Sequence, residues 1–362
     1  MKTNGFLGID IGTQGLSVIF TDTELKILES GEGSYDMVPG LDTDCYEQQP
    51  SDWEDALKNG MTELRKKLAS MQIDMEVLAI GISGQMHGEV LTGNDGEPVG
   101  PARLWCDGRN EAEGNELTEH FGTKCPKRMT AVRWLWTIRN QPEKAARISH
   151  ITTPAGWIAY RLTGSWQLGI GDAAGMFPID QQSLTYNAEM LADFDSIATE
   201  SAGKSRPKIT LSKLGDLLPC VKKAGEDGGS LNAHGATLLG LPEGIPVAPA
   251  EGDQPAALAG SLIATPGQVS MSFGTSVVAN SVGDRAFEGI STPIDHFCAP
   301  DGRPINMVWL RNGTTAMNMA VKLFGGDFSE IMSQVLSADA DCGGLLALPF
   351  MDDEPGLGIS RG

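Results

Sequence analysis

The chain has 362 residues, 41% of them hydrophobic and 20% charged, which suits a soluble globular protein of two domains with a large buried core. Its formal net charge of −20 excludes a binder of nucleic-acid backbones, which needs clustered Lys and Arg, so any phosphate ligand has to be gripped locally by backbone N–H groups, hydroxyls and a divalent metal. The cysteines Cys45, Cys106, Cys125, Cys220, Cys298 and Cys342 lack C-x-x-C spacing and read as reduced, buried thiols. No window is long and apolar enough for a membrane span and no signal sequence opens the chain, so a cytoplasmic location is expected.

A strand is predicted over Phe6–Asp10, followed by a tight turn at Gly12–Gly15, a second strand over Leu16–Thr21 and a third near Lys26–Ser30, together an antiparallel meander. Ser51 is the expected N-cap of an amphipathic helix over Asp52–Ala69, with Pro50 outside it. The apolar run Glu76–Ser83 reads as a strand ending at Gly84. That sets Q-M-H-G, Gln85 to Gly88, at a strand's carboxyl end, where open α/β sheets bind ligands. Pro101–Trp105 reads as a short strand leading through C-D-G-R into a helix over Asn110–Thr118, with further helices at Arg133–Asn140 and Ala155–Leu162. Trp134 and Trp136 are assigned to a helix face. Stretches rich in Gly and Pro at Gly225–Gly229 and Leu241–Pro249 put a domain junction just after them.

Beyond that junction, A-E-G-D-Q-P-A-A-L-A-G at Ala250–Gly260 holds Asp253 in a Gly-flanked turn before a helix of small residues. V-S-M-S-F-G-T-S at Val269–Ser276 then brings a strand into a Gly-Thr turn, echoing the turn near the start of the chain. A catalytic carboxylate and a phosphate cradle would be built side by side in this way, and two related halves suggest a nucleotide held in a cleft. Glycines let backbone approach phosphate closely, Thr13 and Gln14 offer polar groups, and Asp10 can hold a hydrated Mg²⁺. Asp253 can take the proton of an alcohol that attacks a γ-phosphoryl group. Plainer roles fit each residue alone: Gly8, Gly12 and Gly15 suit a hairpin, His87 a satisfied strand-end histidine, and Trp105 a core side chain. His120, His150, His234 and His296 show no metal-binding spacing.

Taken in order, G-I-D-I-G-T-Q-G, I-S-G-Q-M-H-G, L-W-C-D-G-R, G-D-A-A-G (Gly171–Gly175), E-G-D-Q (Glu251–Gln254) and S-F-G-T-S (Ser272–Ser276) resemble the FGGY family of carbohydrate kinases over essentially the whole chain. The resemblance implies an α/β fold of the ribonuclease H-like, actin-like ATPase type, with two related domains around a cleft. Residues 1–250 would form the N-terminal domain, with the sugar site and first phosphate loop. Residues 251–362 would begin the second, which is expected to be incomplete because family members are longer, an incomplete reading of a longer gene being the favoured reason. Carried over by motif, Gln85, Met86, His87, Trp105, Asp107 and Gln254 would bind the sugar and Asp253 would be general base. Gly12, Thr13 and Gln14 would form the first phosphate turn, Gly274 and Thr275 the second, and Asp10 would hold Mg²⁺. The implied partners are a small sugar and ATP, and a homodimer is common among relatives.

Q-M-H-G and W-x-D-G-R look most like xylulokinases, which implies phosphorylation of a terminal hydroxyl of a ketose such as D-xylulose. Gln254 follows the base where xylulokinases usually carry Asn, a likeness to glycerol kinases, whereas Met86-His87 stands where glycerol kinases carry Arg-Glu. Cys106 replaces a usual Asn or Gln. R-N-G-T-T-A-M at Arg311–Met317 is similar to sedoheptulokinases, so sedoheptulose, ribulose and glycerol stand as alternative acceptors. Glu251 occupies a position usually held by Gly, and its carboxylate is expected either to raise the pKa of Asp253 or to point to solvent. A non-catalytic sugar-binding remnant is the rival from another class. An actin-like or chaperone-like ATPase with a protein client is disfavoured by the small polar pocket these motifs supply.

Overall fold

Alternating apolar residues build the first hairpin: β1 (Lys2–Ile11) turns Leu7, Ile9 and Ile11 into the core, and β2 (Gly15–Asp22) turns Leu16, Val18 and Phe20. β3 (Ile27–Ser34) pairs antiparallel with β2, completing the expected meander. The computed structural model describes residues 2–204, 208–263, 265–274, 276–285, 294–325, 327–347, 350–351, 353–354 and 359–360.

The predicted strand at Pro101–Trp105 shrinks to Ala102–Arg103, which pairs antiparallel with β4 (Glu47–Gln48). The amphipathic helix α1 spans Pro50–Ser70. Gln49 is its cap in place of Ser51, and Pro50 is its first helical residue, where a missing N–H leaves nothing unpaired. Trp53, Leu57, Met61, Leu64 and Leu68 recur at helical spacing and are all buried. Trp53 meets Trp157 edge to face, ring centroids 6.1 Å apart.

β5 (Asp74–Gly84) runs parallel to β1 and accepts the short strand Glu251–Gly252 on its other side, also parallel. The resulting sheet has the order Glu251–Gly252, β5, β1, β2, β3. A second, antiparallel sheet has the order Ser270–Phe273, Val277–Val282, Pro304–Leu310, Asp295–Cys298. The Gly12–Gly15 turn thus heads an antiparallel hairpin, and Ser270–Phe273 likewise pairs antiparallel with Val277–Val282. Helices Thr315–Phe324 and Phe328–Ser337 follow the second sheet.

Several contacts join the second sheet to the unit built around the first, an apolar cluster and a buried carboxylate among them. Met86 joins Leu258, Val282, Phe297, Ile305 and Met307 in one apolar cluster. Asp295, 3% exposed, pairs with Lys124 Nζ at 2.6 Å and with Arg128. Trp134 is buried as expected, while Trp136 lies against the Arg103 and Arg109 guanidiniums, 4.7 and 5.3 Å from its ring centroid. The thiols are all free, but only Cys125 and Cys298 are buried; Cys220 and Cys342 are exposed, contrary to the uniform burial expected. Among the described residues no helix is long and apolar enough to cross a membrane.

α1 lies unusually close to β3. A Cβ on Gly31 would fall 2.0 Å from the Gly60 carbonyl oxygen, and one on Gly33 would fall 2.1 Å from that of Ala56. Gly31→Ala is thus predicted to force helix and sheet apart and to cost about 1–3 kcal/mol, read as a lower urea midpoint by circular dichroism.

Candidate active site

Because β1, β5 and Glu251–Gly252 are parallel neighbours, the turns that follow Ile11, Gly84 and Gly252 leave the sheet at one edge. Asp10 stands opposite Ser83, and Ser83 opposite Glu251. The Ser83 hydroxyl donates to Asp10 Oδ1 at 2.7 Å. Asp253 opens the helix Asp253–Gly260, and its carboxyl accepts the Gln254 N–H at 2.7 Å. Burial, opposed by that N–H and helped by the Asp10 charge, pushes the Asp253 pKa from 3.8 up to about 6.

The Gly12–Gly15 turn is held from several sides. Gly12 N–H closes it onto the Gly15 carbonyl at 3.0 Å. The Tyr35 hydroxyl is shared between the carbonyls of Gly12, 2.5 Å away, and Gly15, 3.0 Å away. Gln48 Nε2 donates to the Thr13 carbonyl at 2.8 Å, and Gln85 Nε2 to that of Gly12 at 3.3 Å. Gln85 is 1% exposed and so braces the turn from behind. Gln14 is exposed at its tip. Trp105 is 46% exposed, not a core residue, and its indole N–H donates to Thr13 Oγ1 at 3.1 Å. One wall of the expected sugar pocket is thereby tied to the Gly12–Gly15 turn.

His87 sits at φ 64°, a left-handed conformation that a non-glycine residue keeps only when its surroundings hold it. Arg133 Nη1 donates to its carbonyl, as does Thr130 Oγ1 at 3.4 Å. Its Nδ1 lies 3.0 Å from the Gly175 carbonyl oxygen, and its ring is 5.4 Å from that of Phe297. Burial, with the Arg128 charge beside it, holds the imidazole well below the usual histidine range, so it is neutral at pH 7. With a carbonyl as its partner, Nδ1 carries the proton and Nε2 is left as an acceptor. A cavity of about 360 Å³ opens beside His87 and is also lined by Lys124, Arg128, Gln181 and Phe297. Another, of about 390 Å³, lies on the sheet face beside Asp10 and Ser83.

Three expected residues have indirect geometry. Asp107 is fully buried; its carboxylate accepts from Arg109 Nη2 at 2.7 Å, from Arg109 Nε at 3.0 and 3.1 Å, from the Arg109 N–H at 3.3 Å and from the Tyr46 N–H at 2.9 Å, which makes it a brace for the Trp105 loop. Met86 is 4% exposed and packs under Gly252, where a Cβ would come within 2.4 Å of its Cγ. Gln254 accepts from Asn280 Nδ2 at 3.3 Å, linking the base's helix to the second sheet. At the second Gly-Thr turn, the Gly274 N–H donates to the Ser276 carbonyl at 2.9 Å, while Thr275 lies outside the described residues.

Glu251 corrects the expectation placed on it. It neither points to solvent nor accounts for the raised Asp253 pKa, which follows from burial and Asp10. Its carboxyl accepts the Asp172 N–H at 3.1 Å and the Gly171 N–H at 3.5 Å, and burial drives it up to about 8 against those bonds. Asp172, also fully buried, is pushed well above the carboxylate range by burial and accepts from Thr153 Oγ1 at 2.6 Å. Sequence reasoning missed Ser83, Tyr35, Gln48, Thr130 and Arg133. Ser83 lies within I-S-G-Q-M-H-G but takes no role from it, and the others belong to no motif, so that only the pairing of distant segments reveals them.

Among the described residues no group of three or more His, Cys, Asp or Glu is gathered to cage a metal. A single exposed carboxylate, Asp10, beside a glycine turn suits Mg²⁺, which takes one or two carboxylates, waters and substrate phosphates rather than a protein cage.

Parallel strands that bring the Gly12–Gly15 turn, Q-M-H-G and Asp253 to one end of a sheet, in a chain of this fold, define a phosphotransferase of the actin-like ATPase type. Residues 6–260 match the N-terminal domain of the FGGY family of carbohydrate kinases, and the chain belongs to that family. It is 27% identical to the xylulose kinase of Haemophilus influenzae, over 96% of this chain and 70% of that one. It is also 27% identical to the xylulose kinase of Streptomyces coelicolor, over 98% and 69%. The fold matches the crystal structure of a xylulose kinase from Brucella ovis with a TM-score of 0.82 at 24% identity, covering 96% of this chain and 69% of that one.

An acid whose pKa is raised on folding weakens the fold as pH climbs from its unfolded value through its folded one. Asp253→Asn is therefore predicted to be more stable than the parent at pH 7.5, by up to about 3 kcal/mol, with the gap closing by pH 4. Melting temperatures of both proteins across that range check it.

Proposed function

We propose that this chain belongs to an enzyme that transfers the γ-phosphoryl group of ATP to a terminal hydroxyl of a ketose, D-xylulose being the acceptor named for its relatives. The observation that carries the reading is the Asp253 carboxyl, partly withdrawn from water at the end of the sheet beside Asp10, with its pKa pushed up to about 6. Such a group is ionised at pH 7 yet basic enough to draw a proton from an alcohol as that alcohol attacks.

In this reading residues 1–250 form the N-terminal domain and residues 251–362 begin the second. His87 accepts a sugar hydroxyl at Nε2, Trp105 walls the pocket, and Met86 and Asp107 hold these groups in place from beneath. Asp253 orients and deprotonates the attacking hydroxyl. The turns at Gly12–Gln14 and Gly274–Thr275 present backbone N–H groups to the phosphates, and most of the acceleration comes from positioning and charge stabilisation. Asp10 would hold a hydrated Mg²⁺, which when bound offsets charge on the phosphoryl oxygens. A cytoplasmic location and a homodimer follow from the resemblance to relatives.

The test is ADP release from ATP with D-xylulose, D-ribulose, sedoheptulose and glycerol in turn. Release is expected with a ketose, and Asp253→Asn is expected to lower kcat by about 10²–10⁴-fold. The value of kcat/KM should fall about tenfold per pH unit below about pH 6, as the base takes up its proton. Removing Mg²⁺ with EDTA should abolish release, and restoring it should recover the rate. Turnover indifferent to every sugar, or an Asp253→Asn protein working at the parental rate, overturns the reading.

A further inference from the structure

Glu251 has no part in the mechanism above, yet the structure around it is shaped to hold it. Its side chain leaves the strand on the side away from Met86 and enters a slot between two glycines. A Cβ on Gly169 would lie 2.3 Å from Glu251 Cδ, and one on Gly171 would lie 2.5 Å from its Oε2. Any side chain at either glycine would thus collide with the carboxyl. The residue is 8% exposed.

The bonds it makes there reach the far side of the pocket. The helix Ile170–Met176 starts at Gly169, which has no side chain to cap it. Glu251 takes over that task from another element by accepting the N–H groups of Gly171 and Asp172. Near the other end of the same helix, the Gly175 carbonyl faces His87 Nδ1 at 3.0 Å. Gly175 is also closely fitted, since a Cβ there would approach His87 Nδ1 to 2.8 Å. Two residues after Glu251 in the chain comes Asp253. One side chain on the base's own strand therefore fixes the helix that orients the imidazole.

We propose that Glu251 is a positioning residue: by capping the helix Ile170–Met176 from the strand that carries Asp253, it locks the Gly175 carbonyl against His87 Nδ1 and leaves Nε2 facing the acceptor sugar. The inference rests on the reading of His87 and Asp253 as sugar ligand and base. It adds a rigid path between them, so a shift of the base strand would be felt in the sugar pocket. What matters in the slot is an oxygen that accepts N–H bonds, and volume alone does not replace it.

Two variants of nearly equal size separate these possibilities. Glu251→Gln keeps an accepting oxygen in the slot, and Glu251→Met fills it without one. The direct readout is the long-range ¹⁵N–¹H spectrum of the histidine side chains in the whole chain, with His87 assigned by difference against His87→Asn. The parent and Glu251→Gln are expected to show His87 protonated at Nδ1 alone, and Glu251→Met a mixture of tautomers. Calorimetric affinity for D-xylulose should fall about tenfold in Glu251→Met and stay within about twofold of the parent in Glu251→Gln. A folded Glu251→Met protein that keeps the parental His87 spectrum overturns the proposal. Should the parent bind no ketose, the sugar reading fails, while the tautomer comparison still decides what Glu251 does.

Discussion

The parallel pairing of β1 with β5, and of β5 with Glu251–Gly252, is the constraint from which the site follows. Parallel strands end on the same side, so three turns far apart in the chain emerge together there. The register does the rest. Asp10, Ser83 and Glu251 form one row across the sheet, Ile11, Gly84 and Gly252 the next, and Asp253 comes one residue later. A slip of one residue in either pairing would send Asp10 or Asp253 to the wrong face. The apolar residues of β1 and β2, packed against α1, prevent that slip because they cannot exchange faces without exposing the core.

A chain of net charge −20 that handles phosphates must limit the negative charge near them. Burial accomplishes this here. Asp172 and Glu251 are driven toward their neutral acid forms by desolvation, and Asp107 is neutralised by Arg109 and lies out of solvent. Asp10 remains an exposed carboxylate, and Asp253 sits between the two regimes. The same carboxyl chemistry is thus tuned to different ends by position alone.

Much of the first sheet was legible in the sequence because its cues are local. Period-two alternation marks β1 and β2, an apolar run of strand length marks β5, helical spacing marks α1, and glycines mark the turns. The ends were less legible: Pro50 reads equally well just outside a helix or as its first residue, and tertiary contacts decided for the second. Motifs located Asp253, His87, Thr13 and Trp105 but not how each is held. The left-handed backbone of His87, its carbonyl bound by Arg133, and the Tyr35 hydroxyl over the phosphate turn all come from segments distant in the chain. Their side chains carry no periodic or spacing signal. Asp107 shows what a motif leaves out, since nothing in W-C-D-G-R tells that its carboxylate is buried and bound by Arg109 and the Tyr46 N–H.

Asp295 bears on how the two sheets move relative to each other. Its carboxylate is stripped of water and meets Lys124 and Arg128 from the first unit. Taking the Asp295 carboxylate out of water offsets much of what it gains from Lys124 and Arg128, which stay partly exposed, so such a cluster contributes little net cohesion. Parting the units would let all three groups regain hydration, which offsets most of the Coulomb energy lost. The cluster therefore acts as a stop, not a clasp: it sets the distance and angle at which the units come to rest, and leaves the apolar cluster that Met86 and Phe297 share to supply the adhesion.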